Sequence, residues 1–239
     1  SPGPNCSTST CPGGAGTSLV INCTDTYGSS LNYSHTYMAP PSEINPWTGV
    51  WTSRGSHFDR GFPAQSPPFD TDNIRSPINF GAGHGHRNLV WDSELNVTGA
   101  TFYVTGFYNV AGEPDANREN NFATRRFTTS WNGSSWTFNV TGTQTEVPAI
   151  KLWPGASVNS ASNGGDDGRF YVGVRVTGPI GGMFHYEYAV FNRDNNRQGG
   201  AVRIPVCSLA NVQNVTFRDP DHDAANNWLI MRTGTELVF

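Results

Sequence analysis

Residues 182–206 read GMFHYEYAVFNRDNNRQGGAVRIPV. With a period of two, Phe184, Tyr186, Tyr188 and Val190 fall on one side of an extended chain, and Met183, His185, Glu187, Ala189 and Phe191 fall on the other. Both sides carry bulky groups, so the pattern predicts a strand occupied on both faces, near the centre of a sheet. Asn192 to Gly200 supplies the Asn, Asp and Gly of a reversing loop. Alternation resumes with Val202, Ile204 and Val206 on a common face, which predicts the second arm of a long-looped hairpin.

Outward from this hairpin the same period recurs at 89–97, 100–110, 122–130, 135–142, 149–153 and 170–176, and after it at 212–217, 228–231 and 236–239. Turn signals such as Trp131-Asn132-Gly133 separate these runs, and no long amphipathic helix intervenes. The expected class is therefore all-β: a two-sheet antiparallel sandwich of jelly-roll or Greek-key type. Residues 1–16 are rich in Pro, Gly, Ser and Thr and read as an extended leader. Residues 17–239 read as one domain, with a loop-rich covering segment over 17–87 and the regular strands over 88–239. The covering segment carries prolines at 40, 41, 46, 63, 67, 68 and 77, which must lie over the sheet or reach a neighbour.

A net charge of -4, with Lys151 the only lysine, provides no basic footprint and argues against a nucleic-acid partner. No apolar run is long enough for a membrane span, and the first residues lack the layout of a signal peptide, so an exported chain would be met here in its mature form. Cys6, Cys11, Cys23 and Cys207 make an even count that predicts two disulfides of unknown pairing and an oxidising compartment. The competing use, a zinc ion held by all four thiolates, is disfavoured because Cys207 stands alone.

The most specific local signal is the Asn-x-Ser/Thr acceptor sequence for N-glycosylation, at Asn5, Asn22, Asn32, Asn96, Asn132, Asn139 and Asn214. Composition alone would give about four, so placement matters more than the count. In the Asn-Val-Thr copies at 96, 139 and 214 a strand puts Asn and Thr on one face and Val on the other, which predicts outward asparagines carrying covalent glycans. Asn132 falls in a turn and should be equally accessible.

Other constellations are weaker. Asp219, Asp221 and Asp223 alternate in RDPDHD, a spacing that can turn carboxylates onto calcium but lacks the glycine and distal glutamate of an EF-hand. The alternative is a solvated turn whose aspartates cap backbone amides. His84 and His86, with His57 or His222, could hold zinc or copper; a glycine-rich turn explains them equally well. His185 and Glu187 share a strand face as an acid/base pair would, yet Glu187 is better explained as the partner of Arg175 or Arg203. No nucleophile elbow and no phosphate loop is present, so no catalytic residue and no obligatory cofactor is assigned, calcium apart. Trp47, Trp51, Tyr33 and Tyr37 could stack on sugars.

Three segments carry a resemblance. Cys11 with Gly16-Thr17, Cys23-Thr24-Asp25-Thr26-Tyr27-Gly28, Leu31-Asn32 and Pro41-Ser42-Glu43-Ile44-Asn45-Pro46-Trp47-Thr48-Gly49 form the first. His185-Tyr186-Glu187-Tyr188-Ala189-Val190 with Asn192 and Arg197 form the second, and Phe217-Arg218-Asp219-Pro220-Asp221 the third. Together they resemble uncharacterised secreted proteins of environmental bacteria, planctomycetes among them. The resemblance implies export, a β-rich fold and a chain that is processed or part of something longer. It implies no activity.

The expectation is a secreted, extracellular or cell-surface glycoprotein with a structural role, assembling with copies of itself into a filament or coat by strand addition. The segment with Thr17, Leu19 and Ile21, or the terminal strand with Leu237 and Phe239, would supply the added strand. The alternative is an extracellular module that binds carbohydrate or calcium.

Overall fold

A computed structural model describes residues 43–52, 56, 89–119, 121–162, 168–193, 195 and 198–239. The chain divides into two compact units, 1–194 and 195–239. Within the described residues it is all-β and antiparallel, as the alternation predicts, and its three sheets of three strands each are small and open.

The first sheet has the sequential order β1 (Phe102–Phe107), β2 (Phe122–Trp131), β3 (Trp136–Thr145). Aromatic and β-branched residues fill these strands, and their cross-strand contacts set the register: Phe102 against Phe127, Phe107 against Phe122, and Trp131 against Trp136 at the hairpin end. A shift between Thr124 and Arg126 interrupts the β2/β3 ladder. On one side of it Phe122 and Thr124 are buried; on the other the half-buried positions are Phe127 and Thr129. The sheet thus presents opposite faces to cover at its two ends. One cover is the helical turn α1 (Asp92–Leu95), where a strand over 89–97 was expected. It is tied down by Trp136 Nε1 donating to Asp92 Oδ1 at 2.8 Å and Thr129 Oγ1 donating to the Leu95 carbonyl at 3.0 Å, so Leu95 is buried over the aromatic end.

The second sheet runs β4 (Ala156–Ala161), β5 (Phe170–Ile180), β6 (Met183–Asn192), again in sequential order. Here the deciding stretch needs correcting. β6 pairs with the strand before it, through a turn at Gly181 and Gly182 that closes the Ile180/Met183 pair. Both glycines have positive φ, 58° and 80°, the requirement of a tight two-residue hairpin turn, and that local closure wins over a long loop to 201–206. Among the described residues β6 is consequently an edge strand and not a central one.

One face of this sheet is covered by residues 149–153, expected as a strand but found as a 3-10 turn (Ala149–Leu152) entered from Pro148. Gly173 permits the contact: a Cβ there would lie 3.2 Å from the Trp153 ring and 3.4 Å from Ile150.

In the unit 195–239 the order is β7 (Arg203–Pro205), β9 (Glu236–Val238), β8 (Met231–Arg232), with β9 in the middle. Leu237 and Val238 are buried, and Phe217 lies between Trp228 and Phe239, its ring centroid 5.6 and 6.4 Å from theirs. Residues 212–217 form no strand, because Asn214 adopts a φ of +53°, outside the extended region.

Candidate functional site

Four of the predicted glycosylation asparagines fall among the described residues, and all four are exposed: Asn96, Asn132, Asn139 and Asn214. Asn5, Asn22 and Asn32 lie outside them. Asn96 follows α1, which packs on the first sheet. Asn139 of β3 pairs with Thr128 of β2 in the row Thr137, Asn139, Thr141 and is exposed as expected, but Phe138 and Val140 on the opposite face are exposed too, 53% and 49%, so the expected inward apolar row is not found. Asn132 closes the β2/β3 hairpin: its Oδ1 accepts the backbone N–H groups of Ser134 and Ser135 at 2.9 Å each and the Ser134 hydroxyl at 3.1 Å. The acceptor amide and the hydroxyl of its own triplet are thereby held together in a solvent-facing turn.

The second sheet differs. Its register aligns Val172 with Val190, Val174 with Tyr188 and Val176 with Tyr186, which puts these six residues and Phe184 on one face. That face is the outer one. Phe184 is 52% exposed, Tyr186 55% and Tyr188 40%, and the two tyrosine rings are stacked, nearly parallel at 12° with centroids 6.5 Å apart. β6 makes its ladder with β5 alone among the described residues, so its second edge is open there. It carries no proline and no lysine, the usual means of blocking an edge.

On the inner face Glu187 stands opposite Arg175, whose Nε donates to Glu187 Oε2 at 2.6 Å while its guanidinium lies 5.3 Å from the Trp153 ring centroid. Of the two partners expected for Glu187, Arg175 is the one; Arg203 instead pairs with Glu236 at 3.0 Å. His185 is exposed and opposite Thr177. The two residues share a face, yet Glu187 already serves the guanidinium.

The assembly residues expected at the chain's end need correcting too. β9 is hydrogen-bonded on both sides, Leu237 opposite Ile204 and opposite Arg232, and Phe239 exchanges backbone hydrogen bonds of 3.0 Å with Val202. A strand with both edges paired offers nothing to a neighbour's sheet. Thr17, Leu19 and Ile21 lie outside the described residues.

The aspartate loop folds as a run of turns. Asp221 Oδ1 accepts the Asp223 N–H at 2.7 Å, its Oδ2 accepts the Asn226 amide at 2.8 Å, and Asp223 Oδ1 accepts the Ala225 N–H at 2.9 Å. The backbone N–H of Asp223, with help from Asn226, lowers the Asp221 pKa below the usual carboxylate value. These oxygens turn toward amides, and among the described residues no three His, Cys, Asp or Glu side chains gather as metal ligands, so Asp219, Asp221 and Asp223 form no calcium site. Cys207 is an exposed free thiol and forms no disulfide; Cys6, Cys11 and Cys23 lie outside the described residues, as do His57, His84 and His86.

One constellation had no sequence counterpart. Trp47, expected as an exposed sugar platform, is buried, 4% accessible. Its loop is tight: Asn45 Oδ1 accepts the N–H groups of Trp47 at 2.9 Å and Thr48 at 2.8 Å, and Gly49, at φ +69°, sits where a Cβ would approach Ala111 N to 2.8 Å. Around the indole stand three guanidiniums, Arg193 at 4.8 Å, Arg118 at 5.1 Å and Arg169 at 5.6 Å from the ring. Arg193 is 5% accessible and also lies 4.9 Å from the Phe122 ring, while its Nη2 donates to the Arg118 carbonyl at 2.6 Å. Glu119 balances part of the charge, 2.7 Å from Arg169 Nε and 3.7 Å from Lys151 Nζ. Beneath them Tyr171 is fully buried, and burial first, then the Glu119 charge, pushes its pKa up to about 12. Guanidiniums stacked on the Trp47 and Phe122 rings, above a buried phenol, make the cluster an interior joint between the two described sheets of this unit.

Trp51 is exposed, and Tyr33 and Tyr37 lie outside the described residues. Among the described residues no helix is long and apolar enough to cross a membrane. No protein-family model, curated protein or solved structure matches the chain.

Proposed function

We propose that this chain is a secreted, N-glycosylated structural protein that assembles with copies of itself into an extracellular filament or coat through strand addition, in keeping with the secreted proteins its motifs resemble. The observation that carries this reading is the pairing of open sheets with exposed acceptor asparagines. Among the described residues β3 and β6, ten residues each, have one unpaired edge apiece, and Asn96, Asn132, Asn139 and Asn214 all face solvent. Covalent glycans keep the covered surfaces soluble and leave the bare edges as the places where chains join. Electron microscopy of the native material, with intact mass before and after deglycosylation, tests it. Filaments or sheets of glycosylated chain are expected. Discrete monomers at high concentration, or a mass that deglycosylation leaves unchanged, would remove the corresponding half of the reading.

A second reading has one observation in its favour. The stacked, exposed Tyr186 and Tyr188 rings offer aromatic surface against which a polysaccharide could pack, in place of the buried Trp47. It predicts saturable binding to an insoluble polysaccharide that Tyr186→Ala abolishes.

A further inference from the structure

Resting on the strand-addition reading, we infer that the joining contact is β6 against β6 of a second copy, antiparallel, with the two-fold axis at Tyr186. Three observations select the edge. β6 has no second partner among the described residues, and its exposed face carries Phe184, Tyr186, Tyr188 and Val190 without a charge. No glycosylation triplet lies between Asn139 and Asn214, so the whole second sheet is free of acceptor asparagines. Of the other edges in these two sheets, β1 and β4 are only six residues long, and β3 carries Asn139 on its exposed row, where a glycan would stand in the way of an incoming strand.

The register follows from alternation and charge. An antiparallel pair places residues of like facing opposite each other, so the apolar faces of two β6 strands continue one another only when the paired residue numbers have an even sum. With Glu187 on the axis two carboxylates would meet, and with His185 on the axis two imidazoles would meet. With Tyr186 on the axis, His185 faces the second copy's Glu187 twice, Phe184 faces its Tyr188 twice, and the two Tyr186 rings meet. Each Glu187 then lies between Arg175 of its own sheet and the second copy's His185, a row of hydrogen-bonding partners across three strands. The two sheets become one of six strands. Such a contact is isologous and closes on itself, so a filament built from these dimers grows through a different edge.

Opposed residues in an antiparallel pair have Cα atoms about 4.5–5.5 Å apart, within the range a disulfide takes. The test therefore introduces one cysteine at a time into the full chain carrying Cys207→Ser, oxidised mildly and mapped by peptide mass so that linkages through Cys6, Cys11 and Cys23 are told apart. Tyr186→Cys should give a 186-to-186 linkage between chains. Tyr188→Cys should give at least about ten-fold less self-linkage. A mixture of Phe184→Cys and Tyr188→Cys chains should link 184 to 188. As a second readout, Tyr186→Lys sets two lysines face to face, and light scattering should show dimer affinity weakened by about ten-fold or more, with the circular dichroism of the folded chain retained. Self-linkage as strong at 188 as at 186 overturns the register. Linkage absent at 184, 186 and 188 while the parent chain still assembles overturns the β6 contact and leaves strand addition standing through another edge. A parent chain that stays monomeric at all concentrations overturns both, and one whose Tyr186→Lys variant instead loses a polysaccharide assigns the face to carbohydrate.

Discussion

The two sheets of residues 1–194 share a plan, three antiparallel strands in sequential order, and differ in how they treat their outer surfaces. The first sheet packs α1 against its hairpin end, where Trp131, Phe138 and Val140 nonetheless stay about half exposed, and carries polar Asn139 and its threonines on the opposite row. The second packs one face against residues 149–153 and leaves the other, lined with Val172, Val176, Phe184, Tyr186, Tyr188 and Val190, open to solvent. A monomer has no need of the second arrangement, since an uncharged aromatic face and an unblocked edge are a standing invitation to pairing. Under the proposed strand addition, stability resides in the Trp47 joint and association would use the exposed face of the second sheet.

That division can be broken by mutation. Trp47→Ala removes the indole on which Arg118, Arg169 and Arg193 converge, and should lower the free energy of urea unfolding by about 3–5 kcal/mol. Gly173→Val forces a side chain into the Trp153 and Ile150 contact and should cost about 1–3 kcal/mol in the same measurement. Glu187→Gln, in a pair more than a third exposed, should cost under about 1 kcal/mol. Smallest of all on stability should be Tyr188→Ser, within about 0.5 kcal/mol of the parent, while it weakens association. A Tyr188→Ser chain as destabilised as Trp47→Ala would erase the distinction between joint and surface.

Alkaline pH sharpens the same comparison. Tyr171, with its pKa raised from 10.0 to about 12, keeps its proton in the folded chain at pH values where the unfolded chain has lost it. Its contribution is therefore whole below pH 10 and is lost as pH rises from 10 toward 12. An absorbance titration of the phenolates should show a late step near pH 12 from Tyr171, and unfolding free energy should fall across that window. In Tyr171→Phe the late step should vanish.

Much of the fold was legible in alternation. β2, β3, β5 and β6 each pair bulky residues at every second position over ten or more residues, and that signal survives tertiary context. β4 was not legible, since Ala156-Ser157-Val158-Asn159-Ser160-Ala161 offers a single large apolar side chain and is a strand only because β5 lies beside it. The hairpin partner of β6 was misread because two-faced apolarity suits a buried central strand, whereas here one face is simply exposed. The exposure of the Asn-Val-Thr triplets was expected from strand alternation, but only Asn139 lies in a strand; Asn96 follows a helical turn and Asn214 adopts a φ of +53°, so their exposure has another origin. Arg193 was not, because within Asn-Arg-Asp it looks like loop chemistry, and only the folded chain brings it between Trp47 and Phe122. Trp47 misled in the opposite direction, its proline-rich surroundings suggesting exposure.

Hydrogen exchange on dilute and concentrated samples of the glycosylated chain tests strand addition at β6 most directly. If chains join there, amides of Met183–Asn192 that point away from β5 gain protection on concentration, while those of Trp136–Thr145 on β3 exchange as before. Exchange at Met183–Asn192 that is identical in the two samples, with protection gained on β3 instead, would contradict it.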